Sequence, residues 1–148
     1  MTQSHHMLII NGDSVSSNLL KFAGEYLGCT VEISSTLQEI ETKLHSVDLL
    51  VVDHDLSEGG QQLLDRIHQL NSFLPTIITA DDPEKIQSNG MAVIRKLRKP
   101  VNFEDFICTA RSILRASTDI MHIQNAAKRL DQWFTKRGNC GSAQNTDL

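Results

Sequence analysis

Short apolar runs alternate with amphipathic stretches along most of the chain. Each run is rich in apolar, often β-branched residues and stops at a polar residue or a turn signal, which predicts a short strand. The five runs are Met7–Ile10, Cys29–Ile33, Leu49–Val52, Pro75–Thr79 and Ala92–Leu97. The third run has no polar residue, as is typical of a strand covered on both faces, whereas the fifth is polar enough for a sheet edge.

Apolar residues recur at helical spacing after each predicted strand. Helices are predicted to begin at Ser14, at Ser34-Ser35-Thr36, shortly before Leu63, at Asp82-Pro83 and at Asn102. Ser35 and Gln38 have the spacing of a capping box, Pro83 suits the first turn of a short helix, and Glu58-Gly59-Gly60 predicts a flexible turn. The alternation implies a five-stranded parallel sheet with right-handed crossovers, that is, a three-layer α/β sandwich.

Polar side chains stand at the C-terminal ends of the predicted strands. They are Asn11 and Asp13 with Gly12 between them, Asp53, Thr79 and Lys99. In a doubly wound sheet these ends converge on one edge, where ligands bind. Carboxylates with water suit Mg²⁺, and a carboxylate can also attack phosphorus to form an acyl phosphate. A metal, a hydroxyl and an ammonium at the same edge would then screen the added charge.

Composition narrows the classes of function. The chain has 148 residues, of which 40% are hydrophobic and 22% charged, and its formal net charge is −4. This is enough for one folded domain and gives no reason to expect direct binding to nucleic acid. No apolar run reaches the length of a membrane span, and the N-terminus has no secretory signal. Cys29, Cys108 and Cys140 form no CxxC motif, so we expect a reducing compartment, the cytoplasm, without disulfides or zinc.

Three blocks in this order resemble the receiver domain of two-component response regulators: the run Asp48–Asp53, Thr79-Ala80 after an apolar strand, and Lys99-Pro100 before the last helix. The resemblance covers residues 7–117 and implies a flavodoxin-like fold. It also implies that Asp53 receives a phosphoryl group from a histidine kinase or phosphotransfer protein. Thr79 would contact the phosphoryl oxygens, and Lys99 would pair with the carboxylate or phosphate. Such a domain signals to a downstream protein target and is not an enzyme beyond weak self-dephosphorylation.

The sequence departs from the family after the first strand. The family has two adjacent acids there that hold Mg²⁺, whereas this chain has Asn11 and Gly12. Asp13 either joins the metal site, because Gly12 is conformationally free, or caps the first helix, which we favour. Weak Mg²⁺ binding is therefore expected from Asp53, Asp13 and Asn11, with Asp55 at the position that contributes a backbone carbonyl in the family.

Lys96 stands where the family often has an aromatic residue that switches between buried and exposed positions. Together with Arg95, Arg98 and Lys99 it forms a basic edge, for which a solvated strand is the simplest account. Two hypotheses follow: a working receiver phosphorylated on Asp53, or a degenerate pseudo-receiver that binds partners or dimerises without phosphorylation. A flavin-binding domain is disfavoured, because no glycine-rich phosphate loop follows the first strand.

The chain continues past the receiver-like part as a predicted helical extension, residues 118–137, followed by a disordered tail, 138–148. Residues at heptad spacing could form a seam for a homodimer through this helix. They are Phe106, Ile113, Ile120, Ala127 and Phe134 at one position and Ala116, Ile123 and Leu130 at the other. Alternatively, Ser117-Thr118-Asp119 marks a break, and a separate helix folds back to bury Trp133 and Phe134. No helix-turn-helix or catalytic output domain fits after Ala116, so partners are expected to carry the output.

Overall fold

The computed structural model describes residues 5–34, 37–56, 59–87 and 94–137, and within these it describes no side chains for 37–38, 117–125 and 133–137. Five strands are present: β1 His6–Ile10, β2 Thr30–Ser34, β3 Leu49–Asp53, β4 Thr76–Ala80 and β5 Ile94–Arg98. The helices are α1 Ser14–Tyr26, α2 Leu37–Lys43, α3 Gly60–Leu70 and α4 Phe103–Arg137. Short 3-10 turns occupy Leu44–Ser46 and Pro83–Lys85.

All four strand pairings are parallel, and the strand order is β2-β1-β3-β4-β5. The predicted α/β class and the parallel five-stranded sheet are therefore confirmed. Every residue of β3 and β4 is buried, whereas β5 at the sheet edge is largely exposed. β2 pairs with one edge of β1 and β3 pairs with the other, so the strand order changes direction at β1. Ligands bind in such sheets beside the C-terminal ends of the strands at this point, here β1 and β3.

Side chains alternate between two hydrophobic cores, one on each face of the sheet. On one face, residues such as Met7, Ile9 and Val51 pack with α1 and the first part of α4, including Phe106. On the other face, residues such as Leu8, Leu50 and Ile78 pack with α2 and α3. These layers fix the strand ends, and hence the polar side chains that follow them, at one edge.

The segment between β4 and β5 contains the short helix predicted at Asp82-Pro83, as a 3-10 helix of Pro83–Lys85 with Pro83 in its first turn. Two side chains of β5 hold the ends of this segment: Arg98 donates to the Asp81 carbonyl and Lys96 to the Ile86 carbonyl. Residues 92–93 of the predicted fifth strand and Ser35 of the predicted capping box lie outside the described residues.

The chain divides into two compact units, residues 1–114 and 115–148. Helix α4 is continuous through Ser117-Thr118-Asp119. Within the first unit, Phe106 and Ile113 are buried in the core, so the predicted heptad seam cannot begin at Phe106. Apolar residues recur at almost the same spacing in a helix that packs on a domain core and in a coiled coil. The heptad pattern therefore did not distinguish core residues from a dimer seam. Within the second unit, Leu130 is exposed.

The tail predicted to be disordered, 138–148, lies outside the described residues, as do the side chains of Trp133 and Phe134. In the part of the chain that the structure describes, no helix is both long enough and apolar enough to cross a membrane.

Candidate functional site

Asp53 ends β3 and lies at the centre of the polar edge. Its side chain is only 9% exposed. One carboxylate oxygen, Oδ1, lies 2.5 Å from the Lys99 ammonium and also accepts a hydrogen bond of 2.9 Å from the backbone N–H of Asp55. A buried carboxylate needs such partners because it has lost its water. The other oxygen, Oδ2, accepts no hydrogen bond from the residues that the structure describes.

Lys99 is positioned by the end of β5. Its backbone N–H donates to the Ala80 carbonyl at 2.9 Å, and a cis peptide bond joins it to Pro100. Its ammonium lies 3.2 Å from Oδ2 of Asp55 as well as against Asp53, so it bridges two carboxylates. Burial on its own would lower the pKa of Lys99, but the hydrogen bonds and charges of Asp53 and Asp55 raise it above its ordinary value.

Asp55 links the site to the segment after β4. Its Oδ2 accepts a 2.8 Å hydrogen bond from the backbone N–H of Asp81 in addition to the Lys99 contact. Partial burial would raise the pKa of Asp55, but the Asp81 N–H and the Lys99 ammonium outweigh it and hold the pKa below its usual range. The sequence assigned a role only to the backbone of Asp55. A second acid two residues after the strand end was the signal for its side chain.

Thr79 lies beside Asp53, because the two residues are paired in the β3–β4 register. The residue as a whole is only 2% exposed. With Asn11 and Lys99 it lines a cavity of about 450 Å³ within the first unit. The rest of the lining is mainly apolar and comes from α1, from Asp81 directly after β4, and from the chain around the start of α4: Ser16, Leu19, Leu20, Ala23, Pro100, Val101, Phe103 and Phe106. The structure thus brings Asp53, Thr79 and Lys99 to one place, as the strand pattern predicted.

Asn11 and Asp13 are engaged at the start of α1. The Asn11 side-chain oxygen accepts from the Asp13 N–H at 3.3 Å. Asp13 is the N-cap, and its Oδ2 accepts from the backbone N–H of Ser16 at 3.1 Å and from the Ser16 hydroxyl at 2.6 Å. These Ser16 bonds, the hydroxyl first, lower the pKa of Asp13. The predicted capping is confirmed, and the carboxylate of Asp13 is committed to the helix end.

The donors present fit a divalent cation poorly. Among the described residues, no group of three or more His, Cys, Asp or Glu side chains is arranged to hold a metal ion. Asp53 and Asp55 already face the Lys99 ammonium, while Asp13 faces Ser16. Mg²⁺ needs near-octahedral oxygen ligation, for which the neutral Asn11 amide is a weak supplement. The expected weak Mg²⁺ site therefore finds no ready donor set in the described chain.

The basic edge of β5 holds the segment after β4 rather than only facing solvent. Arg98 donates to the Asp81 carbonyl at 2.9 Å and pairs with Glu84 at 2.8 Å. Lys96, at the position of the family's aromatic residue, donates to the Ile86 carbonyl at 3.3 Å. A phenylalanine there could not make this bond, because it has no hydrogen-bond donor.

Gln61 on α3 is a contact that sequence reasoning missed. Its side-chain amide bonds both backbone groups of Gln87, accepting from N–H at 3.1 Å and donating to the carbonyl at 2.8 Å. Gln61 Oε1 also lies 3.0 Å from Nε2 of His54, the residue after Asp53. No local sequence pattern indicates such a long-range amide clamp.

Comparisons with known proteins address the fold. No family model matches the chain. The Transcriptional regulatory protein TrcR of Mycobacterium tuberculosis is 28% identical over 130 residues, which cover 84% of this chain and 51% of that protein. The chain thus spans about half the length of this curated relative.

Solved structures match over nearly their whole length. A response regulator receiver domain protein (CheY-like) from Methanospirillum hungatei JF-1 has a TM-score of 0.69 and 23% identity, covering 79% of this chain and 98% of its own. A two-component response regulator from Clostridium difficile has a TM-score of 0.65 and 26% identity, covering 76% and 97%. The chain therefore has the CheY-like receiver fold, and its resemblance to response regulator receiver domains is confirmed.

Proposed function

We propose that the chain is a receiver domain of two-component signalling in which Asp53 accepts a phosphoryl group from a histidine kinase or phosphotransfer protein. The observation that carries this proposal is the contact of the buried Asp53 carboxylate with the Lys99 ammonium, beside the Thr79 side chain. A buried acid with an ammonium and a hydroxyl around it can both attack phosphorus and tolerate the charge that results.

The chemistry follows from the two oxygens of Asp53. Oδ1 is held by Lys99 and Asp55, which leaves Oδ2 as the attacking atom. Oδ2 forms the new bond to phosphorus, while the phosphorus–nitrogen bond of the donor breaks and its electron pair stays on the donor imidazole. Thr79 then contacts the phosphoryl oxygens, and Lys99 offsets part of the added negative charge.

Signalling in this proposal passes through contacts with a downstream protein target. The cavity between α1 and the start of α4 lies next to Thr79 and Lys99, so a change at Asp53 alters a surface that a partner can touch. Homodimerisation through the later part of α4 is a further element of the proposal, now limited to residues after Ile113 because Phe106 and Ile113 are in the core.

Phosphorylation is tested by incubating the full chain with acetyl phosphate or phosphoramidate and measuring its intact mass, in Mg²⁺ and, separately, in EDTA. We expect one phosphoryl adduct in at least one condition, and its loss in Asp53→Asn. Asp105→Asn, which changes an exposed acid in the first turn of α4, is the matched control and should keep the adduct. An adduct that persists in Asp53→Asn contradicts the proposal.

One observation favours the second candidate, a pseudo-receiver that works without phosphorylation. The acid pair is replaced by Asn11 and Gly12, and Asp13 caps α1. That reading predicts no adduct with either donor in either condition, while the chain still binds a partner through the receiver surface.

A further inference from the structure

We propose that the Lys99 ammonium, bridging Asp53 and Asp55, supplies the counter-charge for phosphorylation of Asp53, so that transfer needs no divalent cation and Asp55 acts as its positioning residue. This inference rests on the proposed phosphoacceptor function. It departs from the metal dependence that the family resemblance implies, and the reason lies in this chain's own contacts.

Each of the two carboxylates presents one oxygen to two donors. Oδ1 of Asp53 accepts from Lys99 and from the Asp55 N–H, at 2.5 and 2.9 Å. Oδ2 of Asp55 accepts from Lys99 and from the Asp81 N–H, at 3.2 and 2.8 Å. The result is a closed chain of charge-assisted hydrogen bonds that fixes the ammonium between the acids.

A divalent cation could reach these acids only by displacing the ammonium or by lying close to it. Displacement breaks two ion pairs in a partly buried site, and a like charge a few ångströms away is strongly unfavourable there. The acids that would compensate are missing, since the residues after β1 are Asn11 and Gly12 and the carboxylate of Asp13 faces Ser16.

With acetyl phosphate as donor, the step balances without a metal. Oδ2 of Asp53 forms a bond to phosphorus, the bond between phosphorus and the acetyl oxygen breaks, and acetate leaves with the electron pair. No proton is taken up or released. The ammonium of Lys99 stays beside the acyl phosphate, where its positive charge offsets part of the added charge.

Asp55 acts through Lys99 rather than on phosphorus. Its carboxylate is tied to the backbone of Asp81 and so gives the ammonium a second, fixed anchor besides Asp53. Without that carboxylate, Lys99 keeps one anchor and regains rotational freedom, which moves the counter-charge away from the reacting oxygen for part of the time.

The first test measures the rate of adduct formation on the full chain with acetyl phosphate, in EDTA and in millimolar Mg²⁺. We expect equal rates within about twofold. A rate at least about tenfold lower in EDTA overturns this inference and leaves the phosphoacceptor proposal intact. No adduct in either condition overturns both. Calorimetric titration with Mg²⁺ gives a readout besides phosphorylation. If the unmodified chain binds Mg²⁺ and Asp53→Asn does not, the metal binds at Asp53 and the inference is overturned.

The second test removes the ammonium. Lys99→Ala should lose the adduct in EDTA and regain it when methylammonium is added, whereas tetramethylammonium, which has no N–H, should not restore it. Lys96→Ala is the matched control, because Lys96 is also a lysine of β5 but donates to the Ile86 carbonyl and not to Asp53 or Asp55. This variant should react like the unmodified chain. A rate for Lys99→Ala that equals that of the unmodified chain overturns the proposal.

The positioning role of Asp55 has its own readout. Asp55→Asn should slow the reaction in EDTA by about fivefold, the size expected for a partly exposed ion pair, and Asp55→Glu should recover part of the rate. Circular dichroism confirms that each variant is folded. An unchanged rate in Asp55→Asn would exclude the positioning role.

Discussion

The backbone of Gly60 lies directly against the backbone of His54. A Cβ at Gly60 would be 2.6 Å from the His54 Cα and closer still to the His54 carbonyl, so no other residue fits without moving the loop after Asp53. We expect Gly60→Ala to lower the free energy of unfolding by about 1–3 kcal/mol, the usual cost of overpacking. It should also slow phosphorylation, because the displaced loop carries Asp55.

Gly28→Ala provides the comparison for Gly60→Ala. Gly28 has a φ of +87°, yet nothing lies within 4 Å of the position its Cβ would take. This variant therefore tests backbone strain without a clash and far from the site. Urea unfolding and the adduct assay on both variants separate the effects: Gly28→Ala should lose stability but keep its phosphorylation rate. Loss of rate in both variants would show that stability alone explains the result.

The Asp13 cap predicts a specific response to acid. Because the folded pKa of Asp13 is depressed below its ordinary value of 3.8, its contribution to stability is present above pH 3.8 and disappears as the pH falls through the folded value. Asp13→Asn keeps a cap acceptor that does not titrate. The urea midpoint of the unmodified chain should therefore fall relative to that of Asp13→Asn on acidification.

Asp13→Ala, measured beside Asp13→Asn, tests whether the side chain caps α1 at all. It removes the acceptor for Ser16 and should be less stable than Asp13→Asn at pH 7. Equal stability of the two variants at pH 7 would contradict the capping role.

The Asp53–Lys99 contact predicts strong coupling in a double-mutant cycle. Lys99→Met leaves the Asp53 carboxylate, 9% exposed, without its ammonium and should cost about 2 kcal/mol of unfolding free energy. In the Asp53→Asn background the same change should cost about 1 kcal/mol less, since no buried charge is stranded. Urea unfolding of the four proteins gives the coupling energy, and additive effects would show that the contact contributes nothing to stability.

Burial of Phe106 predicts that the first part of α4 belongs to the domain core. Phe106 is fully buried, so Phe106→Ala should lower the free energy of unfolding by about 3–5 kcal/mol. Phe73→Ala removes the same atoms from a side chain that is 77% exposed and should have little effect. Chemical unfolding measures both effects, and an equal loss of unfolding free energy in the two variants would contradict a core position for Phe106.

The convergence of Asp53, Thr79 and Lys99 was predictable because it depends on the sheet alone. Apolar runs locate the strands, parallel topology brings their ends together, and each of these residues stands within one residue of such an end. Asp13 was predictable for a similar reason, since capping is a local property of the chain.

The backbone partners of Asp55 and Gln61 were not predictable, because they lie 26 residues away in the sequence, although the acid two residues after the strand end was a signal for the Asp55 side chain. Glu58-Gly59-Gly60 predicted a turn, and Gly59 lies in one with a φ of +94° just before α3, whereas the packing of Gly60 against the His54 backbone was not predicted. The short helix after Asp82 was predictable from Pro83, whereas the bonds that Lys96 and Arg98 make to the residues flanking it were not. Such contacts between separate segments leave no signal in the local sequence pattern.

Gln61 predicts a measurable coupling between α3 and the segment after β4. Its amide holds both backbone groups of Gln87 and touches His54, beside Asp53. Gln61→Ala removes the acceptor for the Gln87 N–H, and a typical net hydrogen bond of about 1 kcal/mol corresponds to roughly fivefold faster amide exchange there. Exchange followed by NMR is the measurement, with the exposed neighbour Gln62→Ala as control. Phosphorylation of Asp53 should change the same amide through His54 in the unmodified chain but less in Gln61→Ala. An equal change in both proteins would mean that the signal reaches Gln87 by another route, such as Asp55 and Asp81.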